Sequence, residues 1–363
     1  MINDARILGQ MYGIDDFVIV PETLSGISSR KECNPYYYID DIFKHVINNK
    51  LPIFAAPMGG VIDVSNWQTF FNNGINVVIP RTVPFAKRIE LMFSTFVAVS
   101  LVEAENTFIN KDMSEFLNGR IGYICIDIAN GHMKRLLDIC SKIKNKYNDR
   151  LVIMTGNIAN PKTYIEYAKV GIDYVRCSIG SGNVCTTAAN SGIHYPLGSL
   201  IFECNKLRTS MLSETCRRLK YKSMPKIIAD GGFKNFDQII KALALGADYV
   251  MLGEIFAKSE EACGKITKRA SDINGVTTTY REYYGMSTKK AQMLMGKSKE
   301  ECNTSEGIVK EVKVEYSLST WIDNFIHYLR NAMSYTGCKY ITEFIGGPVL
   351  CINTPMARAA FAK

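Results

Sequence analysis

The chain has 363 residues, of which 47% are hydrophobic, and it carries a formal net charge of +8. This length can bury a sizeable core, either in one large barrel or in two ordinary domains. The 43 basic residues are scattered among 35 acidic ones, whereas a groove for nucleic acid needs a concentrated basic stripe, so we expect no nucleic-acid partner.

The cysteines and the apolar runs indicate where in the cell the protein resides. Eleven cysteines are present without a C-x-x-C pair, which is typical of reduced thiols in a cytosolic protein. Residues 1–13 lack the pattern of a secretion signal, and no apolar run reaches the length of a membrane span. The four histidines lie far apart, without the spacing of zinc ligands. We therefore predict a cytoplasmic protein that makes no contact with membranes.

Short apolar runs alternate with segments of helical period through the middle of the chain, which is the pattern of a parallel sheet covered by helices. The runs predict eight strands, at residues 52–55, 75–79, 96–101, 122–127, 151–154, 173–176, 226–229 and 248–252. Eight strands over about two hundred residues match the repeat of one closed barrel. We therefore predict an α/β fold, a (β/α)8 TIM barrel, that forms a single catalytic domain over residues 1–363.

Two stretches do not fit this repeat. Residues 1–50 predict an N-terminal lead-in segment. Residues 258–314 are polar and lysine-rich, and they lie between the eighth strand and an amphipathic helix at 321–333. Because a long excursion after the last strand emerges on the face where barrel enzymes bind substrate, we interpret 258–314 as a mobile flap. A plain surface loop is the alternative.

The stretch IGSGNVCTT, residues 179–187, directly follows the sixth predicted strand. Gly180 and Gly182 let the backbone approach a ligand or an ion closely. Cys185 is then placed for nucleophilic attack, and Thr187 is near enough to help relay a proton. For this loop alone, a buried structural cysteine is the more common explanation.

Glycine-rich turns also follow the last two predicted strands. Asp-Gly-Gly at 230–232 follows the seventh strand and Gly-Glu at 253–254 follows the eighth, where barrels commonly hold phosphates through backbone amides. Tyr-Gly-Met-Ser at 284–287 lies within the predicted flap. A nucleophile, a phosphate cradle and a lid thus map to one rim of the barrel, which predicts an enzyme for a phosphate-bearing ligand.

Taken in order, these motifs resemble the IMP dehydrogenase and GMP reductase family between residues 51 and 339. The resemblance rests on Ala-Pro-Met at 56–58, Gly-Asn at 156–157, the loop around Cys185, Asp-Gly-Gly at 230–232 and Tyr-Gly-Met at 284–286. Three details are similar to the reductase branch, namely Cys-Thr-Thr at 185–187, Asp-Ile-Ala-Asn-Gly at 127–131 and Ser-Glu-Gly at 305–307. The chain also lacks the paired CBS modules that most of the dehydrogenases carry.

The resemblance implies NADPH-dependent reductive deamination of GMP, or of a related guanine nucleotide such as dGMP, to IMP and ammonia. Cys185 would form a covalent thioimidate at C2 of the purine, and Thr187 and Glu306 would assist proton movement. The implied substrate-binding positions are Asn183, Asp230, Gly231, Gly232, Gly253, Tyr284, Gly285, Met286 and Ser287, and the implied cofactor-binding positions are Asp127, Ile128, Ala129 and Asn130. Carbonyls of Gly180, Gly182 and Cys185 would hold a potassium ion, and a homotetramer is the implied assembly.

Several positions depart from the reductase pattern. Asn183 stands where the family has Ser, Glu254 where it has Gly or Ser, Asn-Thr at 303–304 replaces Arg-Ala, and Met-Gly-Gly at 58–60 replaces Met-Asp-Thr. A carboxylate beside a phosphate repels it, so a deoxynucleotide, a nucleoside or a modified purine stays open as the substrate. Two alternative functions also stay open: an IMP dehydrogenase that converts IMP to XMP with NAD, and a purine-nucleotide-binding homologue without catalysis.

Overall fold

Eight parallel strands close into a barrel in the computed structural model of the chain, which describes residues 9–37, 49–212, 224–270 and 277–361. The barrel strands are β2 Ile53–Ala55, β3 Asn76–Ile79, β4 Phe96–Val99, β5 Gly122–Asp127, β6 Leu151–Ile158, β7 Tyr174–Cys177, β8 Lys226–Asp230 and β9 Tyr249–Leu252. Each strand pairs in parallel with the next, and β9 closes the ring on β2. The predicted (β/α)8 barrel is therefore confirmed.

Helices follow most of the strands and cover the outside of the barrel. They are α1 Trp67–Asn72, α2 Phe85–Leu91, α3 Leu101–Ala104, α4 Ser114–Leu117, α5 Lys134–Tyr147, α6 Pro161–Lys169, α7 Thr187–Ser191, α8 Leu197–Leu212, α9 Phe236–Ala244, α10 Glu254–Ala257, α11 Lys289–Leu294, α12 Leu318–Tyr335, α13 Ile341–Phe344 and α14 Pro355–Phe361. Short 3-10 turns lie at Ile14–Asp16, Arg30–Glu32 and Asn148–Arg150, and a π-helical turn lies at Glu105–Ile109. Among the described residues, no helix is both long and apolar enough to cross a bilayer.

Four aromatic side chains fill the amino-terminal end of the barrel interior. Phe54, Phe96, Tyr174 and Tyr249 all come from barrel strands, and their ring centroids lie 5.1 to 6.1 Å apart in edge-on or tilted pairs. Rings at these distances and angles attract one another in addition to being buried. This buried layer fills the end of the barrel opposite the carboxyl ends of the strands.

The predicted strand bounds are right in the barrel interior and wrong at several ends. The predicted strand 96–101 stops at Val99, because the Ser100 side chain accepts a hydrogen bond from the Glu103 amide and starts α3. The strand predicted at 151–154 continues to Ile158. The strand predicted at 173–176 begins and ends one residue later.

The excursion after β9 is a small domain-like sheet rather than a bare loop. It contains the antiparallel strands β10 Ile266–Ala270, β11 Thr277–Tyr284 and β12 Val309–Lys313, with α11 between the last two. Arg281, which is only 1% exposed, donates hydrogen bonds to the carbonyls of Ser259 and Glu260 at 2.9 and 3.0 Å. This guanidinium fastens the sheet to the base of the excursion. The mobility of the flap stays a prediction.

The lead-in segment packs along the barrel. Its strand β1, Phe17–Ile19, pairs antiparallel with β13, Leu350–Ile352, near the other end of the chain. The buried Tyr37 hydroxyl donates to the Asp248 carbonyl at 2.8 Å, which fixes the lead-in segment to the barrel. The rest of the predicted segment 1–50, at 1–8 and 38–48, lies outside the described residues.

Candidate active site

A cleft opens at the carboxyl ends of the barrel strands, opposite the aromatic layer. Residues that follow most of the strands line it together with residues of the excursion. The lining includes Pro57, Met58, Arg81, Asp127, Ile128, Ala129, Asn157, Arg176, Gly180, Gly182, Asn183, Cys185, Thr187, Asp230, Gly231, Gly232, Gly253, Glu254, Tyr283, Gly285, Met286, Ser287 and Glu306. Most residues that the sequence assigned to binding or chemistry therefore share one cavity.

The candidate nucleophile lies in a row with two proton carriers. The half-buried Cys185 Sγ lies 3.4 Å from Thr187 Oγ1, and that hydroxyl lies 3.4 Å from Glu306 Oε2. The contact between sulfur and oxygen has an ordinary length for a hydrogen bond, whereas the contact between the two oxygens is long, as catalytic contacts often are before substrate binds. The row can pass a proton from the region of Cys185 to the Glu306 carboxylate.

Backbone pairing holds this row in place. The Thr186 amide donates to the Glu306 carbonyl at 3.1 Å, and the Ile308 amide donates to the Val184 carbonyl at 3.0 Å. Cys185 thus forms an isolated antiparallel bridge with Gly307. Because the nucleophile loop belongs to the barrel and Glu306 to the excursion, the catalytic row exists only when the two are docked.

An arginine that the sequence analysis missed links the two aspartates of the site. Arg176 on β7 is 7% exposed, and its Nη1 donates to Asp127 Oδ1 at 2.6 Å. Its Nε and Nη2 donate to Asp230 Oδ2 at 3.0 and 2.8 Å. Burial raises the pKa of Asp127, but the guanidinium groups of Arg176 and Arg81 lower it by more, so this pKa lies below its usual value.

The Asp230 carboxylate keeps one oxygen available for a ligand. Its Oδ2 accepts from Arg176 and also from Asn157 Nδ2 at 2.6 Å, whereas Oδ1 takes part in none of these bonds. A carboxylate that is held rigidly on one side can accept from the adjacent hydroxyls of a ribose on the other. This geometry agrees with the ribose-binding role that the resemblance implies for Asp230.

Two glycines give the cradle its shape. Gly231 and Gly232 have φ angles of +83° and +85°, a region that side chains rarely adopt. A Cβ on Gly232 would lie 2.6 Å from the carbonyl of Ser181. The turn therefore presses against the nucleophile loop, and only glycine fits there.

Of the two adjacent flap tyrosines, Tyr283 lines the cleft in place of Tyr284, the one that is predicted to bind substrate. Tyr284, predicted to bind substrate, is absent from the lining of the cleft. Its hydroxyl packs against Gly59, since a Cβ on that glycine would lie 2.6 Å from the hydroxyl oxygen. Tyr283 lines the cleft instead, because alternate residues of a strand face opposite sides. Its hydroxyl donates to Met58 Sδ at 3.4 Å. The unusual Gly59 thus makes room for a flap side chain.

The predicted cofactor side is partly assembled in the same cleft. Asp127, Ile128 and Ala129 line it, and Arg81 Nε lies 3.5 Å from Asp127 Oδ2. Asn130 does not line the cleft, since its side-chain oxygen accepts from the His132 amide at 3.0 Å and ends the loop.

The loop predicted to hold a potassium ion contains both carbonyl and hydroxyl oxygen atoms, and its binding of an ion stays a prediction. Gly180 adopts a φ of +77°, and the Gly182 carbonyl accepts from the Cys185 amide at 2.9 Å. The buried hydroxyls of Ser181 and Thr186 have no hydrogen-bond partner within the part of the chain that the structure describes. Oxygen-rich, underused loops of this kind fit a monovalent cation.

Comparison with known proteins agrees with this geometry. The model of the IMP dehydrogenase / GMP reductase domain matches residues 14–357. A GMP reductase of Buchnera aphidicola is 29% identical over 310 residues, which cover 83% of each chain. A GMP reductase of Onchocerca volvulus is 30% identical over 61% of this chain and 56% of its own length. An inosine-5'-monophosphate dehydrogenase of Chlorobaculum tepidum is 31% identical over 61% of this chain and 43% of its own length.

Proposed function

Because the chain belongs to the IMP dehydrogenase and GMP reductase family, we propose that it is an oxidoreductase that removes the C2 amino group of a guanine ligand with NADPH. GMP is the reference substrate and would give IMP and ammonia. The observation that carries the proposal is the row of Cys185, Thr187 and Glu306 on the wall of the cleft. GMP reductases among the relatives support this direction of the reaction.

The first chemical step would replace nitrogen by sulfur at C2. Cys185 Sγ, as the thiolate, forms a bond to C2, and the C2–N bond then breaks to leave a thioimidate. The departing nitrogen takes up a proton that Glu306 holds and Thr187 relays. Covalent capture divides a difficult displacement of an amino group into two easier steps.

The second step would return the thiolate. NADPH, when bound, supplies a hydride to C2. The C2–Sγ bond breaks, and the electron pair returns to Cys185. On this side of the cleft Asp127, with Ile128 and Ala129, would orient the nicotinamide, and Asn130 would end the loop that carries them. Arg176 keeps the Asp127 carboxylate ionised and fixed.

The substrate would be held from three sides. The flap backbone at 285–287 would contact the purine edge, Asp230 the ribose, and the turns at 231–232 and 253 together with Asn183 the 5′ end. A potassium ion in the loop of Gly180, Gly182 and Cys185 would stiffen the nucleophile. We also propose that each chain forms a single domain and that four chains assemble into a homotetramer in the cytoplasm.

The second candidate function is the opposite redox direction, the oxidation of IMP to XMP with NAD. A relative named as inosine-5'-monophosphate dehydrogenase favours it, and the same nucleophile could attack C2 of IMP. The two functions differ in which substrate consumes or produces the reduced cofactor.

The test is absorbance at the nicotinamide wavelength, with potassium present, for GMP plus NADPH and separately for IMP plus NAD. We expect NADPH loss with GMP and none in the Cys185→Ala variant. The matched control is Cys302→Ala, which alters another partly exposed cysteine outside the cleft lining. NADH formation from IMP with no NADPH loss would assign the chain to the second candidate. Repeating the assay with NADH in place of NADPH tests the cofactor.

A further inference from the structure

The end of the cleft beside Gly253 presents a negative charge. The Glu254 side chain is 17% exposed, and its Oε2 lies 2.6 Å from Lys310 Nζ on β12. Glu254 lines the cleft, whereas Lys310 does not. Of the two members of this ion pair, the carboxylate is therefore the one that lines the cleft beside a ligand.

The ionised side chains of the whole cleft are unfavourable for a second anion. The described lining residues include four carboxylates and only two guanidinium groups, those of Arg81 and Arg176. Both arginines face Asp127 or Asp230 rather than the glycine cradle. A phosphate monoester is mostly dianionic at neutral pH. Its repulsion by Glu254 is thus not offset by an unengaged cation among the described residues that line the cleft.

Tyr283 accepts from a backbone amide, that of Glu254, to which a phosphate would otherwise bind. The Tyr283 hydroxyl packs closely against Gly253, since a Cβ on that glycine would lie 2.5 Å from the hydroxyl oxygen. The hydroxyl also accepts a hydrogen bond from the Glu254 backbone amide. Burial, with the nearby carboxylates of Glu254 and Asp230, raises the pKa of Tyr283, so the hydroxyl stays protonated. Because the Tyr283 hydroxyl donates its proton to Met58 Sδ, this end of the cleft offers a carboxylate and a phenol oxygen, both acceptors, which match the donating hydroxyl group of a nucleoside better than a phosphate.

We infer that the site takes a guanine nucleoside, guanosine or 2′-deoxyguanosine, in preference to its 5′-phosphate, with Glu254 as the residue that sets this preference. The inference rests on the proposed function and changes only the 5′ end of the substrate. The chemistry is balanced as before: the C2–N bond breaks, C2 gains the hydride of NADPH, and nitrogen leaves as ammonium with two protons. The product is inosine or 2′-deoxyinosine.

The experiment compares kcat/KM for guanosine, 2′-deoxyguanosine, GMP and dGMP in the full chain. We expect both nucleosides to exceed their phosphates by about tenfold, the effect of one modestly screened charge repulsion. Glu254→Gln keeps the size of the side chain and removes the charge, so it should raise kcat/KM for GMP by about the same factor and lower the nucleoside preference. Glu311→Gln, which alters the neighbouring strand residue paired with Arg269, should change neither.

Lys310→Met, added to Glu254→Gln, separates the two readings of the ion pair. If the ammonium only compensates the carboxylate, the double variant should use GMP and guanosine as well as Glu254→Gln does. A wild-type preference for GMP, or a selective loss of GMP turnover when Lys310→Met is added to Glu254→Gln, would overturn the inference while leaving the reductase intact, because Lys310 would then serve the phosphate. If no guanine compound oxidises NADPH, the proposed function fails instead. Equilibrium binding of guanosine and GMP to the same protein then decides the 5′ preference by itself.

Discussion

Replacing Arg176 by Met tests whether this arginine holds the two aspartates of the site, Asp127 and Asp230, in position. The change removes a buried guanidinium that binds Asp127 and Asp230 and leaves both carboxylates without their shared partner. Breaking a buried pair costs about 3–5 kcal/mol. Asp127 keeps Arg81 at 3.5 Å and Asp230 keeps Asn157 at 2.6 Å, so we expect the lower value, a loss of about 3 kcal/mol in the free energy of unfolding. Because the two carboxylates also lose their orientation, we expect roughly a hundredfold loss of kcat/KM.

The assay is NADPH oxidation as a function of pH, with kcat and KM resolved separately. In the wild type the pKa of Asp127 is lowered, so the carboxylate is ionised at all pH values above that lowered pKa and protonates only as the pH falls through it. Without Arg176 the pKa rises, and the acid limb of kcat/KM should move to higher pH. Arg176→Lys keeps the charge but not the fork of donors, so it should restore the limb and only part of the rate.

Arg208→Met is the matched control for this experiment. Arg208 also forms a buried ion pair, with Asp248, but neither residue lines the cleft. The control should lower the free energy of unfolding by a similar amount and leave the pH profile unchanged. An Arg176→Met enzyme with wild-type KM and an unshifted acid limb would refute the role of Arg176 in positioning the two carboxylates.

Three further changes test other parts of the molecule. Gly232→Ala should weaken guanine-ligand binding at least tenfold by calorimetry, because the added Cβ clashes within the cradle, whereas Gly119→Ala has a similar φ of +75° in open space and should cost only about 1 kcal/mol of stability. Glu306→Gln should lower kcat by roughly a hundredfold or more with ligand affinity unchanged, as measured by single-turnover kinetics. Asp248→Asn should cost about 3 kcal/mol in urea unfolding at neutral pH. Although burial raises the pKa of Asp248, its basic neighbours lower it by more, so the difference from wild type should shrink as the pH falls through that lowered value.

The barrel was predictable because its strands are short apolar runs whose side chains are buried on both faces, as in β9, where all four residues are buried. Strand ends were less predictable, since they depend on local capping such as that of Ser100, which ends one strand two residues early. The strands of the excursion, predicted only as a flap, were not predicted because the longest of them, Thr277–Tyr284, mixes polar and aromatic residues and only part of it is buried. A strand of that kind gives a weak apolar signal.

The chemistry-bearing residues were predictable where a glycine-rich turn follows a strand, as at Cys185 and Asp230. Arg176 was not predicted because it lies inside a strand rather than in a glycine-rich turn. The signal was nevertheless present, since a single charged residue in the otherwise apolar strand β7 must be paired when buried. The exchange of Tyr284 for Tyr283 could not be predicted, because one residue of strand register decides which face each side chain takes.

The two ends of the ligand are coupled through one hairpin of the excursion. In the pairing of β11 with β12, Tyr283 lies opposite Lys310, so the residues that surround Glu254 belong to the same small sheet that leads into Glu306. Glu306 in turn reaches Thr187 only while the bridge between Cys185 and Gly307 is formed. We therefore expect a ligand that repels Glu254 to disturb, through Lys310, the sheet that leads into Glu306. A ligand that hydrogen-bonds to Glu254 should instead favour docking of this sheet on the barrel. Selection at the 5′ end should thus appear in kcat as well as in KM, because docking of the sheet completes the catalytic row.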